Sequence, residues 1–154
     1  MEVTERADGV TIVNDAYNAN PDSTAAALAA LAAMAAGRRS WAVLGEMLEL
    51  GAASAAEHEA AGRLAVRSGV QRVVAVGEGA GPVHDGALAE GAAEGEGSVA
   101  VPDVGSALAL LRAEVQPGDV VLVKASRSSG LETLAEALLA DVPHADHVEG
   151  VGAR

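Results

Sequence analysis

The chain has 154 residues, 50% of them hydrophobic, which is one ordinary domain able to bury a core without disulfides or a structural metal. A formal net charge of −12 surrounds it with a negative field, which argues against unaided binding to nucleic-acid phosphates or to an anionic membrane surface. The absence of Cys excludes disulfides, thiolate chemistry and Cys-ligated zinc, and with no Phe, one Trp and one Tyr the core must be built from Ala, Val and Leu.

The first nine residues, MEVTERADG, are charged rather than apolar, and no run approaches the ~18 to 20 apolar residues that a membrane helix needs. The chain reads as a soluble, cytoplasmic protein with no membrane insertion. Residues 2–6 and 10–14 flank Ala7-Asp8-Gly9, a turn signal between two β-leaning runs, and predict a hairpin. Asn20 or Asp22 can cap a helix to about Ala36, with Pro21 suited to its first turn and Gly37 stopping it. A strand follows at 40–45. Ser54-Ala55-Ala56-Glu57 has the form of a capping box, predicting a second helix to about Ser68 with Gly69 as its stop.

Strands are predicted at 71–76 and 98–101, with a glycine-interrupted helix between them in 80–91. Asp103 caps a fourth helix, Pro117-Gly118 turns the chain into a strand at 119–125, and residues 130–140 form a fifth helix. Residues 141–154 lack periodicity and read as a flexible tail, whose His144 and His147 receive no role. Val-rich strands alternating with Ala/Leu-rich helices imply an α/β, Rossmann-like fold. Its sheet is mostly parallel, has helices on both faces, and is opened by an antiparallel N-terminal hairpin strand.

Residue usage marks two places. All three asparagines (Asn14, Asn18, Asn20) and the only tyrosine (Tyr17) fall within one seven-residue segment, and Lys124 is the only lysine. The segment from Asn14 to Ser23 lies at a strand exit and a helix start, where ligands of open α/β sheets sit. Its amides accept and donate at once, and Tyr17 adds a flat face with a hydroxyl. An elaborate turn plus a cap explains one Asn and Asp22, but not the cluster. A second post-strand loop, Leu44 to Gly51, carries Glu46 and Glu49; it reads equally well as a cation or ammonium site and as solvated acid between two turn glycines. The third, Val123 to Glu132, places Lys124, Ser126 and Arg127 beside free helix N–H groups, an arrangement suited to carboxylate or phosphoryl oxygens. Parallel strands joined by right-handed crossovers must release these three loops on one edge, so residues 14–20, 46–51 and 126–130 are expected to form one open, rather flat rim.

NDAYNANPDS, then LGEMLELG, a helix bearing His58, and VLVKASRSSGLE resemble, in order and spacing, the C-terminal domain of the ATP-dependent Mur ligases. The match is to the branch that adds D-alanyl-D-alanine to a UDP-muramoyl-tripeptide, and it covers residues 1 to about 140. The family more often has Asp where Glu46 stands and Gly where Ala125 stands. The resemblance implies that Asn14, Asp15, Tyr17, Asn18 and Asn20 face ATP, while Lys124, Ser126, Arg127 and Glu46 serve the dipeptide and the reacting phosphoryl group. It also implies that the UDP-binding and ATPase domains, with most contacts to ATP and Mg, lie outside this chain, so that the isolated domain is expected to be inactive.

The sequence agrees with that division, since it holds no G-x-x-x-x-G-K-[ST] phosphate loop and Gly77-Glu78-Gly79-Ala80-Gly81 lacks G-x-G-x-x-G spacing. His58 reads as a partly buried helix histidine rather than a catalytic base. A related Mur-type amino-acid ligase and a non-catalytic α/β interaction module remain as alternatives. A signalling receiver is rejected, because its third strand needs a terminal Asp and here ends Val74-Ala75-Val76-Gly77.

Overall fold

The computed structural model describes residues 1–142; His144, His147 and the rest of the expected tail beyond Val142 lie outside them. The hairpin forms as the turn signal predicts: β1 (Glu2–Glu5) pairs antiparallel with β2 (Thr11–Asp15). Then follow α1 (Pro21–Ala35), β3 (Ser40–Leu44), α2 (Ser54–Arg67), β4 (Arg72–Val76), α3 (Gly81–Ala89), β5 (Ser98–Val101), α4 (Val104–Glu114), β6 (Val120–Lys124) and α5 (Leu131–Asp141). The six strands run in the order β1-β2-β6-β3-β4-β5, and every pair except the first is parallel.

Strand alternation sends successive side chains to opposite faces, which divides the core in two. Ile12, Trp41, Val43, Val121 and Val123 meet Leu111 of α4 and Leu131, Leu134 and Leu138 of α5. Val13, Ala42, Leu44, Val73 and Leu122 meet α1 through Leu28 and Leu31, α2 through Ala65 and α3 through Val83. The two helix layers cover the sheet on both faces.

Small residues set the spacing of the second layer. A Cβ on Gly62 of α2 would overlap the backbone carbonyl of Val83, and one on Gly86 of α3 would overlap that of Glu59. Gly62 and, among the glycines that interrupt the helical pattern at 80–91, Gly86 are therefore what lets α2 and α3 pack backbone to backbone. At the N-terminal end of the strands, Trp41 donates its indole N–H to Asp119 at 2.9 Å, and the guanidinium carbons of Arg72 and Arg39 lie 4.4 and 5.1 Å from its ring centroid.

Two capping expectations hold and one fails. Asn20 caps α1, accepting from Ser23 N–H at 2.7 Å while Ser23 Oγ accepts from Asn20 N–H at 3.0 Å. Asp103 caps α4 by accepting from Ser106 N–H at 2.7 Å. The Ser54–Glu57 capping box does not form. A 3₁₀ turn over Gly51–Ala53 runs directly into α2, so Ser54 already has right-handed helical backbone (φ −53°, ψ −52°), whereas a capping residue is extended. Ser54 instead lies inside the helix, with its Oγ 3.3 Å from His58 Nδ1.

Candidate functional site

Helices α1, α2 and α3 lie on one face of the sheet and α4 and α5 on the other. Strand β6 leads to α5 while its neighbours β2 and β3 lead to α1 and α2, so the carboxyl end of β6 is a topological switch point, the place where open α/β sheets leave a crevice. The three expected loops meet there. A cavity of about 490 Å³ is lined by Tyr17 to Asn20, by Leu48 and Glu49, and by Ser126 to Ser128. The single rim expected from the strand directions is thus present, with Tyr17 and Arg127 on the same edge.

Within the first loop the predicted residues divide by task. Asn14 is buried, and its side-chain oxygen accepts from Ala16 N–H at 3.3 Å, which shapes the exit from β2. Asn20 is committed to the α1 cap while also lining the cavity. Asp15 faces Lys124 of β6, Nζ to Oδ2 2.8 Å, and the same ammonium donates to the Asn18 carbonyl at 2.8 Å. Lys124 is buried, and two of its donor positions are directed back into the protein. Tyr17, 52% exposed, and Asn18 are the residues of this loop that stand free at the cavity edge.

The second and third loops are hydrogen-bonded to each other. Gly45 N–H donates to the Lys124 carbonyl at 2.9 Å, Ser126 N–H to the Glu46 carbonyl at 3.1 Å, and Leu48 N–H to Ser126 Oγ at 3.1 Å. Ala125 fits because it faces a glycine: a Cβ on Gly45 would lie 2.7 Å from that of Ala125. Beyond Ser126 a 3₁₀ turn over Arg127–Ser129 leads to Gly130, whose φ of 76° opens α5 with no side-chain cap. The first N–H groups of α5 are therefore not all met by local acceptors, and they add partial positive charge behind this loop. Arg127 is exposed, and among the described residues no ion pair engages its guanidinium.

Glu46 is not on this cavity. Its carboxylate packs against Gly79, and the residue lines a neighbouring space of about 280 Å³ beyond β4 and β5, together with Glu78, Asp103 and Ser129. The acidic residue that faces the Tyr17–Arg127 cavity is Glu49, three positions on. Glu49 is held at φ 62°, a left-handed backbone uncommon for a residue with a Cβ. The sequence showed an acidic loop but not which carboxylate would turn inward, because the reversal at Glu49 has no glycine to mark it.

His58, the other residue whose part was open, is fully buried. Its Nδ1 lies 2.7 Å from the Ser54 carbonyl and its Nε2 accepts from Met47 N–H at 2.8 Å.

The family model described as "Mur ligase, glutamate ligase domain" matches residues 1–127. The chain belongs to the Mur ligase C-terminal domain family. It is 56% identical over 157 residues to the UDP-N-acetylmuramoyl-tripeptide–D-alanyl-D-alanine ligase of Mycobacterium tuberculosis, covering 92% of this chain and 31% of that protein. The enzyme of the same name from Escherichia coli is 36% identical over 132 residues, covering 86% of this chain and 27% of its own length. Among solved structures, MurF from Acinetobacter baumannii superposes with a TM-score of 0.74 at 27% identity, covering 90% of this chain and 30% of that one. MurF from Thermotoga maritima in complex with ADP gives 0.69 at 29% identity, covering 88% and 29%. The Mur ligase domain described here thus spans less than a third of the length of the curated relatives it matches. No helix among the described residues is long and apolar enough to cross a membrane.

Proposed function

We propose that this Mur ligase domain is the C-terminal, cleft-closing part of a cytoplasmic, ATP-dependent amide ligase that adds D-alanyl-D-alanine to UDP-muramoyl-tripeptide. In that reading the tripeptide carboxylate is activated as an acyl phosphate and the dipeptide amine attacks it, the ATPase and UDP-binding domains being supplied outside residues 1–154. The observation that carries the proposal is the composition of the cavity at the β6 switch point. Neutral groups of Tyr17 and Asn18 form one wall, suited to a nucleoside, while Arg127 and Glu49 offer opposite charges, suited to a zwitterionic dipeptide. Similarity to the named ligases supports the same assignment.

The residues have different parts in it. Tyr17, Asn18 and Asn20 would meet ATP directly. Asn14 and Asp15 act through the shape of their loop, and Lys124 acts by fixing that loop to β6. Ser126 and Arg127 would bind carboxylate or phosphoryl oxygens together with the α5 N–H groups. Glu46 stands one cavity away and would serve only a ligand that extends there. Magnesium supplies charge neutralisation at the ATP phosphates when bound. Among the described residues no group of three or more carboxylate or imidazole side chains could hold it, so the proposal assigns it to the ATPase domain. Closure of this domain over the nucleotide excludes water from the acyl phosphate and positions the amine.

The test is made in the ligase that contains this domain. Arg127→Ala should lower kcat/KM for the dipeptide by roughly ten- to 150-fold, the loss of one charge-assisted hydrogen bond worth about 1.5 to 3 kcal/mol. Arg112→Ala is the control, because Arg112 pairs with Asp141 on the outer surface of α4 at 3.0 Å. Equal kinetics for the two variants would remove the anion-site assignment.

A further inference from the structure

We infer that His58 is a positioning residue for the cleft, a neutral imidazole clamp that sets the Leu48–Glu49 wall opposite Tyr17 and Arg127. The inference rests on the functional reading above and deepens it, since it names what holds the second wall in place. The chemistry of the partners decides the tautomer. The Ser54 carbonyl, 2.7 Å from Nδ1, can only accept, so Nδ1 carries the proton; Met47 N–H, 2.8 Å from Nε2, can only donate, so Nε2 presents its lone pair. Both ring nitrogens are satisfied, and the ring is fully buried.

The clamp acts at the point where the loop divides. Met47 is buried with Ala19 and Ala61, and its sulfur lies 3.6 Å from Thr24 Oγ1 of α1, so this residue anchors the loop between α1 and α2. On one side of it Glu46 turns toward the neighbouring cavity; on the other, Leu48 and Glu49 turn into the cleft. Further polar ties on this stretch run to the third loop, from Gly45 N–H to the Lys124 carbonyl, from Leu48 N–H to Ser126 Oγ and from Ser126 N–H to the Glu46 carbonyl. His58 therefore holds the backbone of the second loop to the helix layer, where Thr24 meets only the Met47 side chain, while Ser126 fixes the loop to the strand edge. Glu49, held at φ 62°, has no glycine's freedom to keep that backbone if the anchor beside it is lost.

Two variants separate positioning from general stability. Gln places its amide oxygen near the Nε2 position and can still accept from Met47 N–H; Leu fills similar space without an acceptor. In the ligase, His58→Leu should raise KM for the dipeptide on the order of tenfold, because a buried N–H loses its partner, with kcat changed less. His58→Gln should recover most of that loss. His84→Gln is the control: this second buried imidazole contacts Ser98 at the opposite end of the sheet, and its loss should lower the unfolding midpoint without changing KM. In the 154-residue chain, long-range ¹H–¹⁵N spectra should show the proton on Nδ1 and a scalar coupling across the Met47 N–H···Nε2 bond, and His58→Leu should displace the Leu48 and Glu49 amide resonances. A folded His58→Leu ligase with KM within twofold of the parent, or an Nε2-protonated ring, would overturn the inference. Failure of the ligase reading is distinct: the parent enzyme would then lack turnover with these substrates, and the spectra would still decide the clamp.

Discussion

Replacing Lys124 by Met should destabilise the domain by about 2 kcal/mol, and the size of the loss distinguishes a structural lysine from one kept free for ligand. Its Nζ makes two 2.8 Å contacts, to Asp15 Oδ2 and to the Asn18 carbonyl, from a side chain that is 5% exposed. A charge-assisted hydrogen bond contributes about 1.5 to 3 kcal/mol, and breaking a fully buried pair costs about 3 to 5 kcal/mol. Two observations lower the figure here. The Asp15 side chain is 18% exposed, so solvent offsets part of the charge left on its carboxylate. Met fills nearly the same volume and removes a buried cation whose own desolvation opposed folding. In a domain of this size about 2 kcal/mol corresponds to a fall in Tm of roughly 4 to 8 °C. Urea unfolding followed by far-UV circular dichroism, with equal m values for parent and variant, measures it. A change below about 0.5 kcal/mol, within the ordinary surface range, together with a large loss of ligand affinity, would refute the structural assignment and return Lys124 to the anion site.

Two further outcomes test the packing and the charges. Gly86→Ala should cost the upper part of the usual overpacking range of about 1 to 3 kcal/mol or more, because the new methyl meets the Glu59 carbonyl of α2, a backbone atom that cannot rotate away. Gly81→Ala, with open space and a helical φ of −47°, should be neutral or stabilise by up to about 1 kcal/mol; thermal melts that rank the two alike would contradict the account of the α2–α3 interface. For pH, the Arg6 hydrogen bond holds the Asp8 carboxyl below its ordinary value of 3.8, and the Ser106 N–H does the same for Asp103. A depressed folded pKa means that the unfolded chain binds more protons, so this stability is fully present above 3.8 and is lost as pH falls through the folded values. Urea midpoints should decline with acid in the parent and more shallowly in Asp8→Asn; identical slopes would rule out the Arg6 contact as a source of acid sensitivity.

The parts legible in the sequence were those encoded by local chemistry. Turn glycines, the Asn20 and Asp103 caps and the alternation of Val-rich runs with Ala/Leu helices act within a few residues, and each located its element. The Ser54–Glu57 box misled because the same local pattern has two outcomes, and the 3₁₀ turn over Gly51–Ala53 selects the one in which Ser54 is already helical. The shared edge was legible too, since parallel strands with right-handed crossovers release the loops after β2, β3 and β6 on one side, and those loops share a cavity; the strand order was not. Side-chain direction within the loops was not. Glu46 and Glu49 are chemically alike and three residues apart; what separates them is a left-handed turn at Glu49 and the anchor of Met47 on His58, a contact between residues 11 positions apart. Rare residue types pointed to loops that line one cavity without stating their tasks. Lys124 and Asn14, conspicuous by scarcity, bind the site's own backbone and side chains, while Arg127, marked in sequence by its loop and not by rarity, lines the cavity with Tyr17 and enters no ion pair among the described residues. In a cleft of this kind, scarcity in the sequence marks both the groups that build the walls and the groups that face the ligand, and only the hydrogen-bond partners tell the two apart.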